Sequence, residues 1–576
     1  MDTAEELLEL ARDKFGKLTE AEEKLFRDTA NGEIADYSAT EEKENDPANA
    51  AKWVPGRVLL AVRIAWLCTD RQASQLVTYL GIQIKGARID EKFNLQFAKV
   101  PFPLYFERSK FTAKITLIGA QIVALFMPGT HTGPLDASGL KIEAVIYLTD
   151  GFKAEGEVAL LGATVGGDLN CSKGQFINKG GKALSADRLK IGGGIYLRRG
   201  FTANGEVRLH GATVGRNLVC SKCQFINKDG IALNADGLRI AGNVFLHEGF
   251  HAEGEVRLIG TTVGGSLVCE KGQFINKDAY ALCADRLKVE GTVFLRNRFR
   301  AQGAVSLHGV SIDKEFCLTD VDSPGEMELI LDSTKLGTLY DDQKSWPGPG
   351  RLSLHGLEYG VISIDSPRDA KTRIEWLRRQ DGFSPQPYEQ LAKVLRESGD
   401  DAGARDVLVA KNKDKADRTE LTRAEWFWYR LFGPLIGYGH KPWLALRLAL
   451  VIILFGLLFF KQGYSHGLVT PPSDSAYAKE GDAGIRAPVD TNRRISEVYP
   501  VFNSLVYSID VFVPVVDLHQ AKYWLPNANR GPELFPTNSA AFCAGGLLLF
   551  WLWVETACGW VLTTLFLVGL TGLVRT

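Results

Sequence analysis

Along the middle of the chain, apolar and polar residues alternate in short runs that restart after glycine-bearing turns. In Val207-Arg-Leu-His-Gly-Ala-Thr-Val-Gly215 the apolar positions are Val207, Leu209 and Val214, followed by Leu218 and Cys220. A second run continues through Leu233, Ala235, Leu238, Ile240, Val244 and Leu246. A period of two over so few residues predicts strands. The pattern recurs every 49 residues: Phe152, Phe201, Phe250 and Phe299 occupy equivalent positions. The text after them is nearly copied, as GEVALLGATVGGDLNCSKGQFINK, GEVRLHGATVGRNLVCSKCQFINK and GEVRLIGTTVGGSLVCEKGQFINK. Units too small to bury a face alone must stack on their neighbours.

Each repeat divides into two coils, since Leu218 to Val244 is 26 residues and Val244 to Leu267 is 23. Coils of this length predict a mostly β fold, a right-handed parallel β-helix over residues 81–366. Glycines such as Gly162, Gly205, Gly211, Gly254 and Gly260 fall where the chain must turn a corner. Weaker coils extend the pattern upstream (Ile84–Ile89, Leu117–Ile122) and downstream (Val305–Gly309, Leu352–Gly356). Roughly a dozen coils at about 4.8 Å each give a rod on the order of 55 Å long.

An open solenoid exposes strand edges, so its ends need covers. Residues 1–80 are predicted as a helical cap, with 57–70 an amphipathic helix over the first coil. Residues 367–425 are predicted as a helical linker. Within it, 386–416 form a hairpin that turns at Gly399-Asp-Asp-Ala-Gly and has Tyr388, Leu391, Val394 and Leu395 on its inner face.

Periodicity then gives way to uninterrupted apolar runs in a membrane module over 426–576. Residues 443–460 are nearly long enough to span a bilayer, and a second span is placed at about 543–572, before Arg575. Trp426, Trp428, Tyr429 and Trp443 form an interfacial aromatic belt at the start of the first span. Arg423, Arg430, Lys441 and Arg447 flank the same end and set it on the cytoplasmic side. Between the spans, residues 499–518 are apolar but broken by Pro514. That pattern suits a re-entrant segment, which the bilayer tolerates only where protein or water lines it, or an interfacial helix that packs an anchor. Asp510, Asp517 and Glu555 are the intramembrane polar candidates.

Bulk composition adds limits. The net charge of -1 gives no bias toward nucleic acid, and nine cysteines are too few for a disulfide scaffold of 576 residues. The opening MDTAEELLELARDKF is charged and amphipathic rather than a secretory signal, so a reducing cytosol is expected for the soluble part. Cys171, Cys220 and Cys269 recur two coils apart, about 10 Å, too far for a disulfide, and read as small core residues. Lys173, Lys222 and Lys271 form one surface row, Lys179, Lys228 and Lys277 a second, and Glu157, Glu206 and Glu255 an acidic one. A basic stripe for a polyanion competes here with an ordinary mixed face, which the near-zero net charge favours.

Catalytic motifs occur without their structural contexts. His247-Glu-Gly-Phe-His251 spells a zinc-protease signature at a solenoid corner rather than on a helix. Gly463-Tyr-Ser-His-Gly467 follows an apolar span, not a strand. Cys220-Ser-Lys-Cys223 has Gly174 and Gly272 at the equivalents of its second cysteine. No catalytic residue, metal ligand or cofactor is assigned, and an enzyme is not expected.

The repeat, the YEQLAKVLRESGDDAGAR hairpin, GYGHKPW (437–443), FNSLVYSIDVFVPVVDL (502–518) and GWVLTTLFLVGLTGLV (559–574) together resemble a family of bacterial membrane proteins with pentapeptide-like solenoid repeats. Members are often labelled membrane-associated oxidoreductases. The resemblance implies a bacterial inner (cytoplasmic) membrane location, and the charge flanks imply cytoplasmic N- and C-termini. The order span, re-entrant segment, span also resembles the two-helix pore module of tetrameric cation channels, although Phe512-Val-Pro-Val-Val-Asp517 lacks a glycine-rich filter. The expectation is a membrane-anchored sensing or scaffolding rod whose C-terminal module forms an oligomeric cation pore. Its alternatives are a non-conducting scaffold and an oxidoreductase. Expected partners are the lipid bilayer, further copies of the chain and an unknown protein or small-molecule ligand of the solenoid, with no nucleic acid.

Overall fold

The computed structural model describes residues 2–419, 422–478, 484–486, 494–535 and 542–571. Two compact units divide between Asp400 and Asp401, inside the stretch expected to form one linker.

The first unit is a parallel β-solenoid. One column of its ladder runs Ile82, Leu104, Leu125, Ile146, Leu169, Ile195, Leu218, Val244, Leu267, Val293, Phe316, Leu339 and Ile362. The expected partners Leu218, Val244 and Leu267 are therefore in register, with alternating coils of 26 and 23 residues. Inward positions are closed to solvent, and the core carries a ladder of seven phenylalanines. Phe152, Phe176, Phe201, Phe225, Phe250, Phe274 and Phe299 stack with ring centroids 5.0 to 5.5 Å apart, all fully buried. Each repeat thus supplies two rungs of one column. Cys171, Cys220 and Cys269 are fully buried too, and Leu246 pairs with Cys220 on the coil between the last two.

The additional residues of the longer coils leave the rod as outward loops. Asn178, Asn227 and Asn276 close these loops by donating from Nδ2 to the carbonyls of Lys182, Ile231 and Tyr280 at 2.8, 2.9 and 2.8 Å. Gly205, Gly254 and Gly303, at φ of +126°, +121° and +122°, lie against the loops, where a Cβ would strike the carbonyl oxygens of Asn178, Asn227 and Asn276.

Both ends are covered. Helices α1 (Thr3–Phe15) and α2 (Glu20–Asn31) precede the first coil, and Thr19 and Glu22 form a capping box at α2. Ala35–Asp36 pairs with Ile84–Lys85. The helix expected over 57–70 is shorter. Val58–Leu60 is a strand paired with Arg88–Asp90, and α3 spans only Ala61–Thr69. The start of that segment extends the ladder and pairs the edge of the first coil. At the other end lie α4 (Ala370–Leu377) and α5 (Gln386–Glu397). Gln386 accepts from the Gly356 amide at 2.9 Å and donates to the Leu357 carbonyl at 3.0 Å, and Gln390 donates to the Tyr359 carbonyl at 2.6 Å. These side-chain amides replace the peptide groups of a missing coil. Tyr388, Leu391, Val394 and Leu395 are buried as expected.

Beneath this cap lies a buried ion pair. Arg373 donates to both oxygens of Asp341 at 2.8 and 2.6 Å and to the Pro367 carbonyl at 2.6 Å. Trp346 Nε1 donates to the same carboxylate at 2.7 Å. Every strong donor and acceptor is used, the condition under which a buried pair holds.

The second unit contains α6 (Asp401–Arg418), α7 (Arg423–Ile436), α8 (Trp443–Ser465), α9 (Ser504–Phe512), α10 (Gln520–Tyr523) and α11 (Ala544–Thr571). α8 and α11 are long and apolar enough to cross a membrane. Arg575, expected to close the second span, lies outside the described residues.

Candidate functional site

The sequence-derived polar candidates of the membrane module separate into three environments. At the C-terminal end of α8, Tyr464 stacks on Phe502 at 4.6 Å and meets Trp524 edge-on at 5.3 Å. From there α9 runs back along α8: Ser508 reaches the Ile453 carbonyl at 3.0 Å, and Phe512 joins a cluster with Ala445 and Leu562. Since 11 residues separate Ile453 from Tyr464, Ser508 lies roughly 16 Å along α8 from its C-terminal end. The chain then returns to Trp524, whose indole donates to the Pro500 carbonyl at 3.0 Å. Residues 502–524 thus enter and leave at one end.

Asp510 holds this turn together. Its two oxygens accept from the Leu518 amide at 2.6 Å and the Ala521 amide at 2.8 Å. Asp517 is half-exposed and ion-paired with Lys522 at 2.7 Å. Neither aspartate touches Glu555, which is fully buried in α11 where α8, α9 and α11 meet. Glu555 Oε1 contacts Ser508 Oγ, while Oε2 has no partner. Gly456 makes room for this carboxyl: a Cβ there would strike both Glu555 oxygens. Sequence reasoning found Glu555 but not Ser508 or Gly456, because nothing local marks a serine and a glycine on two other helices as its neighbours.

On the rod, both lysine rows follow the 49-residue repeat, and other side chains lie between their members. Lys173, Lys222 and Lys271 share one corner at φ of 60°, 48° and 55°. The same left-handed corner holds Arg199 and Glu248 on intervening coils, and Lys173 pairs with Asp150 at 3.1 Å. Lys179, Lys228 and Lys277 sit in the outward loops, and Lys228 pairs with Glu253 at 3.1 Å. Such a mixed face is poorly suited to a polyanion.

A recess of about 730 Å³ opens after the last loop. Lys277, Tyr280, Gly303, Ala304, Glu328 and Arg351 are among the residues that line it. Its origin is legible in the repeat: Glu157, Glu206 and Glu255 recur after the corner glycine, and the next repeat has Ala304 there. Tyr280 replaces Lys182 and Ile231 and is half-exposed.

The apparent catalytic motifs acquire ordinary roles. His247 and His251 lie on one strand, Val244–Arg257, not on a helix. His247 packs on Phe245, and His251 bonds Gln273 and Glu253 at 3.1 and 3.2 Å. No grouping of three metal-ligating side chains occurs among the described residues. Ser465 donates to the Gln462 carbonyl at the end of α8. Cys220 and Cys223 are buried, and burial pushes both thiols well above their ordinary range, away from reactive thiolate.

Fold and site together define a class: a parallel β-solenoid followed by a helical unit with two helices long and apolar enough to cross a membrane. Comparison with family models, curated proteins and solved structures finds no match.

Proposed function

We propose that this protein is a membrane-anchored scaffold, with the solenoid as binding rod and α8 and α11 as the anchor. The observation that carries the proposal is the outward apolar face of both helices. Only 17% and 22% of their most apolar stretches are buried, and Leu450, Val451, Leu458, Phe550, Trp553 and Trp560 are exposed. A soluble core helix would hide such residues; a bilayer accepts them. Arg423, Arg430, Lys441 and Arg447 near the start of α8 support a cytoplasmic rod in a bacterial inner membrane. The recess beside Tyr280 is the place on the rod most distinct from its repeats, and it is where a protein or small molecule docks. Alkaline carbonate washing of membranes containing the full-length protein tests the anchor. Retention in the pellet with release by detergent is expected; release by carbonate alone refutes it.

A second reading, the oligomeric cation pore, is favoured by one observation: residues 502–524 enter and leave at the same end of α8. Asp510 is poorly suited to select ions, because its oxygens already hold two amides. Asp517 is the exposed candidate. Planar-bilayer recording of the full-length protein beside Asp517→Asn tests this reading. Currents whose selectivity shifts in the variant support it, and silence from oligomeric protein removes it. The buried thiols offer no support for an oxidoreductase.

A further inference from the structure

We infer that the junction of α8, α9 and α11 is a proton-binding site, in which Glu555 is held as the neutral acid and donates to Ser508. The inference rests on counting hydrogens. Ser508 has one hydroxyl hydrogen and contacts two acceptors, Glu555 Oε1 and the Ile453 carbonyl at 3.0 Å. Were Glu555 ionised, both contacts would compete for that hydrogen. With a proton on Oε1, Glu555 donates to Ser508 Oγ, and Ser508 donates to Ile453. One added proton turns a competition into a relay across three helices.

The surroundings agree. Oε2 is buried without a partner, a costly arrangement for an anion and a tolerable one for the carbonyl oxygen of an acid. Tyr507 Oη is also buried without a partner, and the Trp551 indole, one helical turn from Glu555, approaches the carboxyl without completing a hydrogen bond. Among the described residues no ion pair involves Glu555. Along α8 no ionisable residue occurs between Arg447 and Lys461. Glu555 and Cys558 are the ionisable residues of α11, and Tyr507 and Asp510 those of α9. Asp510 is negative and engaged by the Leu518 and Ala521 amides. The carboxyl is backed against Gly456, where no Cβ separates it from α8.

The proton therefore latches α9 to the two long helices. The sign follows: packing is favoured where Glu555 is protonated and lost as pH rises. Where the closed state keeps this proton and the opened state has lost it, the opening equilibrium of α9 gains about tenfold per pH unit, and the gain ends once the closed-state acid also ionises. Glu555→Gln keeps a donor for Ser508 without a titratable proton.

The test uses the full-length protein in lipid nanodiscs. Infrared spectra should show the carbonyl stretch of a protonated carboxylic acid that disappears in Glu555→Gln. Hydrogen exchange of 504–512, corrected for intrinsic rates, should accelerate with pH in the wild type and stay flat in the variant. A wild-type spectrum without an acid band assignable to Glu555 overturns the proposal. So do identical exchange profiles in the two proteins. Ser508→Ala, which removes the acceptor, should shift the acid band and loosen α9 at every pH; an unshifted band would equally overturn the relay.

Discussion

Replacing Phe225 by alanine should divide the rod. Phe225 is fully buried between Phe201 at 5.5 Å and Phe250 at 5.3 Å, in the middle of the seven-ring ladder. A buried phenylalanine removes roughly 150–200 Å² from water, which at about 25 cal/mol per Å² gives about 4 kcal/mol. The tilted ring pairs and the unfilled space keep the cost within the usual range of about 3–5 kcal/mol for Phe→Ala. In a stacked array this loss falls on the coupling between adjacent coils. Phe299→Ala is the control, because it ends the ladder and has one ring neighbour, Phe274 at 5.4 Å. Hydrogen exchange resolved by coil in the full-length protein reads the effect. Phe225→Ala should lower protection most in the coils of Phe201, Phe225 and Phe250, and denaturation should separate into two transitions. A cost below about 1 kcal/mol would refute the reasoning. An equal loss of protection along the whole rod, or as large a split from Phe299→Ala, would do so as well.

At the C-terminal cap, Arg373→Ala should cost about 3–5 kcal/mol in chemical denaturation by orphaning Asp341, while Arg373→Met with Asp341→Leu should recover only part of it, because the Trp346 indole and the Pro367 carbonyl lose their partners. His131 stacks between Lys110 and Lys153, and burial first, then these two cations, hold its imidazole below the ordinary value near 6.5. Acid therefore protonates the unfolded chain first, so stability should fall as pH drops below about 6.5, and His131→Gln should flatten that part of a melting-temperature profile. Gly456→Ala places a Cβ against the Glu555 carboxyl and should expose residues 513–519 to protease without loosening the rod; unchanged cleavage would contradict the close approach.

The rod was readable because its information is local and repeated. Alternation names the inward residues, and the distances between Leu218, Val244 and Leu267 specify register without knowledge of any other element. The phenylalanine ladder was half-visible: Phe152, Phe201, Phe250 and Phe299 stand out, whereas Phe176, Phe225 and Phe274 belong to the same column only once coils of unequal length are stacked. Asp341 and Arg373 lie 32 residues apart on different elements, and no periodicity joins them. Asp510 and Asp517 were recognisable as polar residues in an apolar segment, yet their partners are set by how the returning chain folds back.

The two halves of the chain use polar groups in opposite ways. In the solenoid the strands bond to the neighbouring coils through their backbones, so polar side chains are free to vary on the outside, and departures from the repeat such as Ala304 and Tyr280 line its recess. At the junction of α8, α9 and α11 the polar side chains are closed to solvent, so a single buried carboxyl constrains Gly456, Ser508 and the course of α9 at once. The rod tolerates change coil by coil, whereas the membrane module concentrates its constraint at one junction. Substitutions that alter what the rod binds should therefore leave the anchor intact, and substitutions at Glu555 should alter the re-entrant segment without touching the ladder. That separation gives each half of the proposed function its own independent test.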